Sequence, residues 1–176
     1  MEYRVVFRED ADWNHFPYPE NFWTSLVAAA LLKARNCPGS FGHVPMWWKE
    51  EREPDGNLAE LIAGPFDMEI FKPWALCRSA PDIRLESRDW IVIVETKRGA
   101  PIEPKQFDVF DCLGKAGSRN TTYLLMAPGG FNPGQLGEFY ENGKRTRIKA
   151  GFLNLALTVN WAWNLLDLGA PCWEQK

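Results

Sequence analysis

Apolar residues recur in two rhythms along the chain. Between Glu20 and Ala34 they fall at Phe22/Trp23, Leu26/Val27, Ala30/Leu31 and Ala34, the three-to-four spacing that gives a helix one buried face. Pro17-Tyr18-Pro19 marks the start of that helix, and Asn36 with Pro38-Gly39 marks its stop. Ile83–Ser87 and Trp90–Thr96 are short, strand-like apolar runs, and the Arg88-Asp89 link between them predicts a hairpin. A helix over Pro104–Lys115, a strand over Thr121–Met126 and a largely apolar helix over Leu153–Leu168 follow. Residues 37–75 mix tryptophan, proline and acids, and predict only a short helix at Leu58–Ala63. Pro128–Gly137 reads as loop. Gln135–Glu141 has two readings, a short helix closed by Asn142-Gly143 or a hairpin turning at the same pair. The order α, ββ, α, β, α predicts one α/β domain over residues 1–176, a mixed central β-sheet flanked by α-helices.

Composition narrows the picture. The 176 residues are 45% hydrophobic, enough for a sizeable core, and no repeat or low-complexity tract interrupts them. A formal net charge of −3 gives no global attraction to polyanions, so a nucleic-acid partner would need a local basic patch. The densest patch is Lys144-Arg145-Thr146-Arg147-Ile148-Lys149. Cysteines 37, 77, 112 and 172 form no C-x-x-C pair, and the reading they support is reduced thiols in a cytoplasmic protein. No run reaches the roughly 20 apolar residues of a membrane span, which predicts no membrane partner.

The chemistry gathers at the end of the second strand. Side chains alternate across a strand, so Glu95 and Lys97 share one face while Thr96 points to the other. If the hairpin forms, Asp82 lies at the same end of the sheet as Glu95. Two carboxylates with a backbone carbonyl suit a hard cation such as Mg²⁺ or Mn²⁺. A lysine beside them can position a water or offset developing negative charge. The bland reading of Glu95 and Lys97 is an exposed strand-end ion pair, which contributes little.

Pro81-Asp82 followed by Glu95-Thr96-Lys97 resembles the signature of the PD-(D/E)XK nuclease superfamily, whose fold is the restriction-endonuclease-like core. Gln106-Phe107-Asp108-Val109-Phe110 is similar to the Q-x-x-x-Y motif of one branch, with Phe110 in place of the tyrosine. The resemblance covers about residues 19–127 and implies an α-β-β-β-α-β core, with one strand still to be placed, expected within residues 69–80. Residues 128–176 would be an extension packed on that core. The resemblance implies that Asp82, Glu95 and the Thr96 carbonyl bind Mg²⁺ or Mn²⁺ and that Lys97 orients or activates the attacking water. It makes Glu20 an auxiliary ligand or base, and it has Gln106 hold the lysine or the substrate backbone. Arg98, Lys105, Lys144, Arg145 and Arg147 are the substrate-binding cations.

Each sharp reading has a plain rival. Glu20 in the first turn of a helix is favoured by the macrodipole alone, Gln106 can be a surface residue, and the basic cluster can be a solvated turn. Glu60 is a substitute for Glu20, and Asp12-x-x-His15 is a weak metal pair. Trp47, Trp48, Trp161 and Trp163 can stack on bases or fill the core. The expected activity is metal-dependent hydrolysis of DNA, rather than RNA, by a chain acting as a homodimer or within a larger nucleoprotein assembly. The alternative is an inactive nucleic-acid-binding or assembly subunit that retains the nuclease fold.

Overall fold

The computed structural model describes residues 5–16, 18–77 and 79–170. Pro17 of the expected helix start and Cys172 lie outside them. Helix α1 spans Glu20–Ala34, the predicted bounds. After it, two-residue strands β1 (Pro45–Met46) and β2 (Gly56–Asn57) pair, and the short helix expected at Leu58–Ala63 is a single 3-10 turn at Leu58–Glu60. The central sheet is built from β3 (Asp67–Ile70), β4 (Ile83–Glu86), β5 (Trp90–Thr96), β6 (Asn120–Ala127) and β7 (Lys149–Asn154), side by side in that order. β4 runs antiparallel to its neighbours β3 and β5, and β6 and β7 run parallel to β5. The architecture is therefore mixed α/β with a five-stranded mixed sheet.

The missing strand is β3, earlier than expected. It is a solvent-facing edge with no fully buried residue, so its four positions carry little apolar signal. The long helix over Pro104–Lys115 is two short ones, α2 (Pro104–Phe107) and α3 (Val109–Leu113), meeting at Asp108.

Residues 128–170 depart most from expectation. They form α4 (Pro133–Thr146), the strand β7 and α5 (Leu155–Leu165), so this part of the chain supplies a strand of the main sheet. Asn132 caps α4 by accepting from the N–H groups of Gly134 and Gln135. Asn142-Gly143 sits inside that helix and makes neither a stop nor a hairpin. A Cβ on Gly143 would come within 2.6 Å of the Ala150 Cβ and 2.9 Å of the Ile148 carbonyl. The glycine is there to let α4 lie close against β7. The helix ends four residues later at Arg147, whose left-handed φ of 60° closes it.

Every residue of β5 is buried, because both faces of the sheet are covered. Val92 and Val94 pack with α1 and α5, along with the buried Trp23, Trp161 and Trp163. Ile91 and Ile93 pack with α3 and α4 through Val109, Phe110 and Phe139. Trp161 and Trp163 are therefore core residues, while Trp47 and Trp48 are half-buried.

Cys77 and Cys112 are joined in a disulfide, with their Cα atoms 5.4 Å apart, against the expectation of reduced thiols. The fold brings together two cysteines 35 residues apart in sequence, a pairing that spacing does not reveal. Closing a loop of that length stabilises the chain by roughly 4 kcal/mol on the entropic account. Dithiothreitol is expected to lower the melting temperature by on the order of 10 °C, and Cys77→Ser/Cys112→Ser to melt at the reduced value in either buffer. Equal melting of the oxidised and reduced protein would contradict this. Among the described residues, no helix is long and apolar enough to cross a membrane.

Candidate active site

Ile83 pairs with Val94 across the β4–β5 hairpin, so the next rung sets Asp82 opposite Glu95. Both lie on the sheet face that carries Ile91 and Ile93, the side of α2 and α3. Asp82 is fixed by the backbone N–H of Thr96, which donates to its Oδ2 at 2.8 Å. Glu95 and Lys97 are each only 5% exposed, which removes the surface ion-pair reading. The Lys97 Nζ stands 3.5 Å from the Glu95 Oε1. Lys97 continues the sheet, its N–H donating to the Met126 carbonyl at 2.8 Å.

Two helices frame this cluster. Gln106 on α2 donates through Nε2 to the Glu95 Oε1, while its own Oε1 accepts from the Glu103 N–H at 2.8 Å. The Tyr123 hydroxyl donates to the Gln106 carbonyl at 3.0 Å from the sheet below. Gln106 thus holds the acid, where the resemblance had it hold the lysine or the substrate. On the other side, Glu20 opens α1 and accepts the Arg98 N–H at 2.7 Å, so its carboxylate is turned to the end of β5. The Thr24 and Thr96 hydroxyls bond at 2.8 Å between the helix and the strand.

Charge accumulates here. Burial raises the Asp82 carboxyl to about 6; the Thr96 N–H and Lys97 act against that rise, and Glu20 adds to it. Glu95 is pushed up to about 8, first by burial and then by the charge of Asp82, with Glu20 adding to it and Lys97 opposing. A buried carboxylate pair that resists ionisation has the electrostatics of a cation site. Its donors are all oxygen, as hard cations require. Among the described residues, no three His, Cys, Asp or Glu side chains converge closely enough to make a metal cage by themselves. Such a site leaves coordination positions to water or to a phosphate, which is usual for Mg²⁺.

The remaining candidates divide. Arg98 belongs to the frame, its guanidinium donating to the Tyr18 carbonyl at 2.5 Å. Lys105 is exposed and pairs with Glu103 at 2.9 Å. Lys144, Arg145 and Arg147 lie at the far end of the molecule. The N-terminal end of α4 is tied to the end of the sheet that carries Asp82 and Glu95, where the Gln135 Oε1 accepts the Ile102 N–H at 2.9 Å. Fourteen helical residues then carry the chain about 20 Å away. Lys144 pairs with Glu141 and Arg145 with Asp111, while Arg147 closes the helix. These three stand apart from the carboxylates. Glu60 caps the 3-10 turn at Leu58–Glu60 and bonds the Trp48 indole at 3.3 Å, so it does not replace Glu20. Asp12 and His15 bond each other at 2.6 Å.

No protein-family model, curated protein or solved structure matches the chain.

Thr24, Tyr123 and residues 9–14 carry no signal in the sequence that points to the site. Thr24 and Tyr123 act through single hydroxyls inside apolar elements, where sequence offers no signal. Residues 9–14 form one wall of a cleft of about 480 Å³ at the carboxyl ends of β5 and β6. Its other walls come from residues 98–101 and the start of α4.

Proposed function

We propose that this chain is a metal-dependent nuclease, built on a restriction-endonuclease-like core, that hydrolyses phosphodiester bonds of DNA. The observation that carries the reading is the convergence of Asp82, Glu95 and Lys97 at the buried end of β5. The element order α1, β3–β4–β5, α2/α3, β6 supports it.

Asp82 and Glu95 would hold Mg²⁺ or Mn²⁺ with the Thr96 carbonyl beside them. The bound ion supplies Lewis acidity toward a phosphate oxygen and makes a coordinated water easier to deprotonate. Lys97 presents its N–H groups on the same face as Glu95 and offsets the charge that grows on the phosphate during attack. Gln106 keeps one oxygen of Glu95 in a fixed position. Glu20 pins the backbone directly after Lys97, which limits the motion of the ammonium.

Calorimetric titration with Mg²⁺ and Mn²⁺ tests this reading. The wild type is expected to take up metal, and the Asp82→Ala/Glu95→Ala protein, with an unchanged circular dichroism spectrum, to take up none. Wild type that binds DNA but no metal would instead be a non-catalytic subunit.

A further inference from the structure

The cleft beside the carboxylates has a chemistry of its own. It begins one residue after Lys97, with Arg98 and Gly99 as its nearest wall. Crevices outside the carboxyl ends of parallel strands are the usual ligand positions of open α/β sheets, and about 480 Å³ is the size of a small-molecule site. Glu9, Asp10 and Asp12 line it, Asp10 paired with the Arg8 guanidinium at 2.9 Å and Asp12 bonded to His15 at 2.6 Å, while the Arg98 guanidinium serves the Tyr18 carbonyl. Such a lining offers a phosphate no uncommitted guanidinium and leaves the Glu9 carboxylate beside it. It favours an uncharged group that donates hydrogen bonds, as the exocyclic amino groups of adenine and cytosine do. The Asn14 amide stands against Gly99, close enough that a Cβ there would lie 3.2 Å from its Oδ1. The half-buried Phe131 ring offers a stacking wall on the opposite loop.

We propose that this cleft receives the nucleobase of an unpaired nucleotide whose phosphate lies at the Asp82, Glu95 and Lys97 site. The inference rests on the nuclease reading and adds a substrate class to it. A base inside a duplex cannot enter the cleft without unstacking, which costs a few kcal/mol. Single strands, or strands with an extruded base, are therefore the substrates.

Two measurements separate the inference from the reading beneath it. In the first, deoxyadenosine and deoxycytidine are titrated against Asp82→Ala protein, following the fluorescence of tryptophan, since Trp13 lines the cleft. Binding is expected, and it should weaken about tenfold in the Phe131→Ala background, the loss of one stacked base. In the second, wild type with Mg²⁺ is given a single-stranded oligonucleotide, its duplex, and the single strand with one abasic position. The single strand should be cut at least about tenfold faster than the duplex, and cleavage should be suppressed at the abasic residue. No nucleoside binding overturns the inference, as does equal cutting of all three substrates with Asp82→Ala inactive. Nucleoside binding without any cleavage by wild type keeps the cleft and sinks the nuclease reading.

Discussion

Glu95→Gln is expected to abolish metal-dependent cleavage and at the same time to raise the melting temperature of the metal-free protein at pH 8 and above. The two effects have one cause. Folding lifts the Glu95 carboxyl from 4.5 to about 8, so the folded chain holds a proton that the unfolded chain has released. Below pH 4.5 both states are protonated and Glu95 has no effect on stability. Between 4.5 and about 8 stability falls as pH rises, by about 1.4 kcal/mol per pH unit for this one group. Above that window the loss is complete. Asp82 adds a smaller loss of the same sign between 3.8 and about 6. Glutamine has no proton to lose, and its amide oxygen can still accept from Gln106. The variant should therefore lose most of this pH slope and gain a few kcal/mol at alkaline pH, on the order of 5–10 °C in melting temperature. Thermal unfolding from pH 4 to 9, with a cleavage assay on the same samples, gives both readouts. A variant that cuts like wild type would show that Glu95 is not the metal ligand, and one that keeps the wild-type slope would show that it is not the acid that folding raises.

Lys97→Met should separate binding from catalysis. The lysine is the one cation that lowers both Asp82 and Glu95. Without it both carboxylates hold their protons to higher pH. Metal uptake requires the ionised forms, so the pH midpoint of Mg²⁺ binding should move up by about one unit or more, each unit being about 1.4 kcal/mol of lost attraction. At saturating metal and alkaline pH the site still fills, yet cleavage should remain about 100- to 1,000-fold below wild type, the scale of losing one preorganised donor. Calorimetry at several pH values reads the first effect and single-turnover cleavage reads the second. An unmoved midpoint would mean that Lys97 does not act on the carboxylates, and a full rate at high pH would mean that its only task is to ionise them.

The elements that frame the chemistry were legible because they are buried on one or both faces. The bounds of α1 follow from apolar spacing with the prolines and Asn36 that flank it, and those of β5 from its apolar run. Asp82, Glu95 and Lys97 were legible from alternation along a strand and from the hairpin, and Asp82 and Glu95 meet as that geometry requires. Edge strand β3 was misplaced because Asp67–Ile70 is four residues long, and two repeats of polar–apolar alternation are too few to mark a strand. Helix α4 was obscured by glycines and an Asn-Gly pair, and Gly143 answers to packing against Ala150. The basic cluster ends α4 away from the carboxylates, a placement that charge density along a chain does not reveal. Gln106 was found on the right element, and only the fold reveals that its partner is Glu95.

The β4–β5 hairpin also governs how this sequence is free to vary in length. Asp82 and Glu95 face each other only because Ser87 and Trp90 close the turn directly, the Ser87 N–H donating to the Trp90 carbonyl at 2.9 Å. Adding or deleting one residue between them offers the hairpin two outcomes. Either the turn absorbs the change, or β4 slips and Asp82 rotates to the α1 side of the sheet, away from Glu95. Insertions after β1 or before α4 leave the pairing of Asp82 with Glu95 untouched. The segment from Asp82 to Glu95 is thus the stretch where an indel acts on the site through register, even where every site residue is kept.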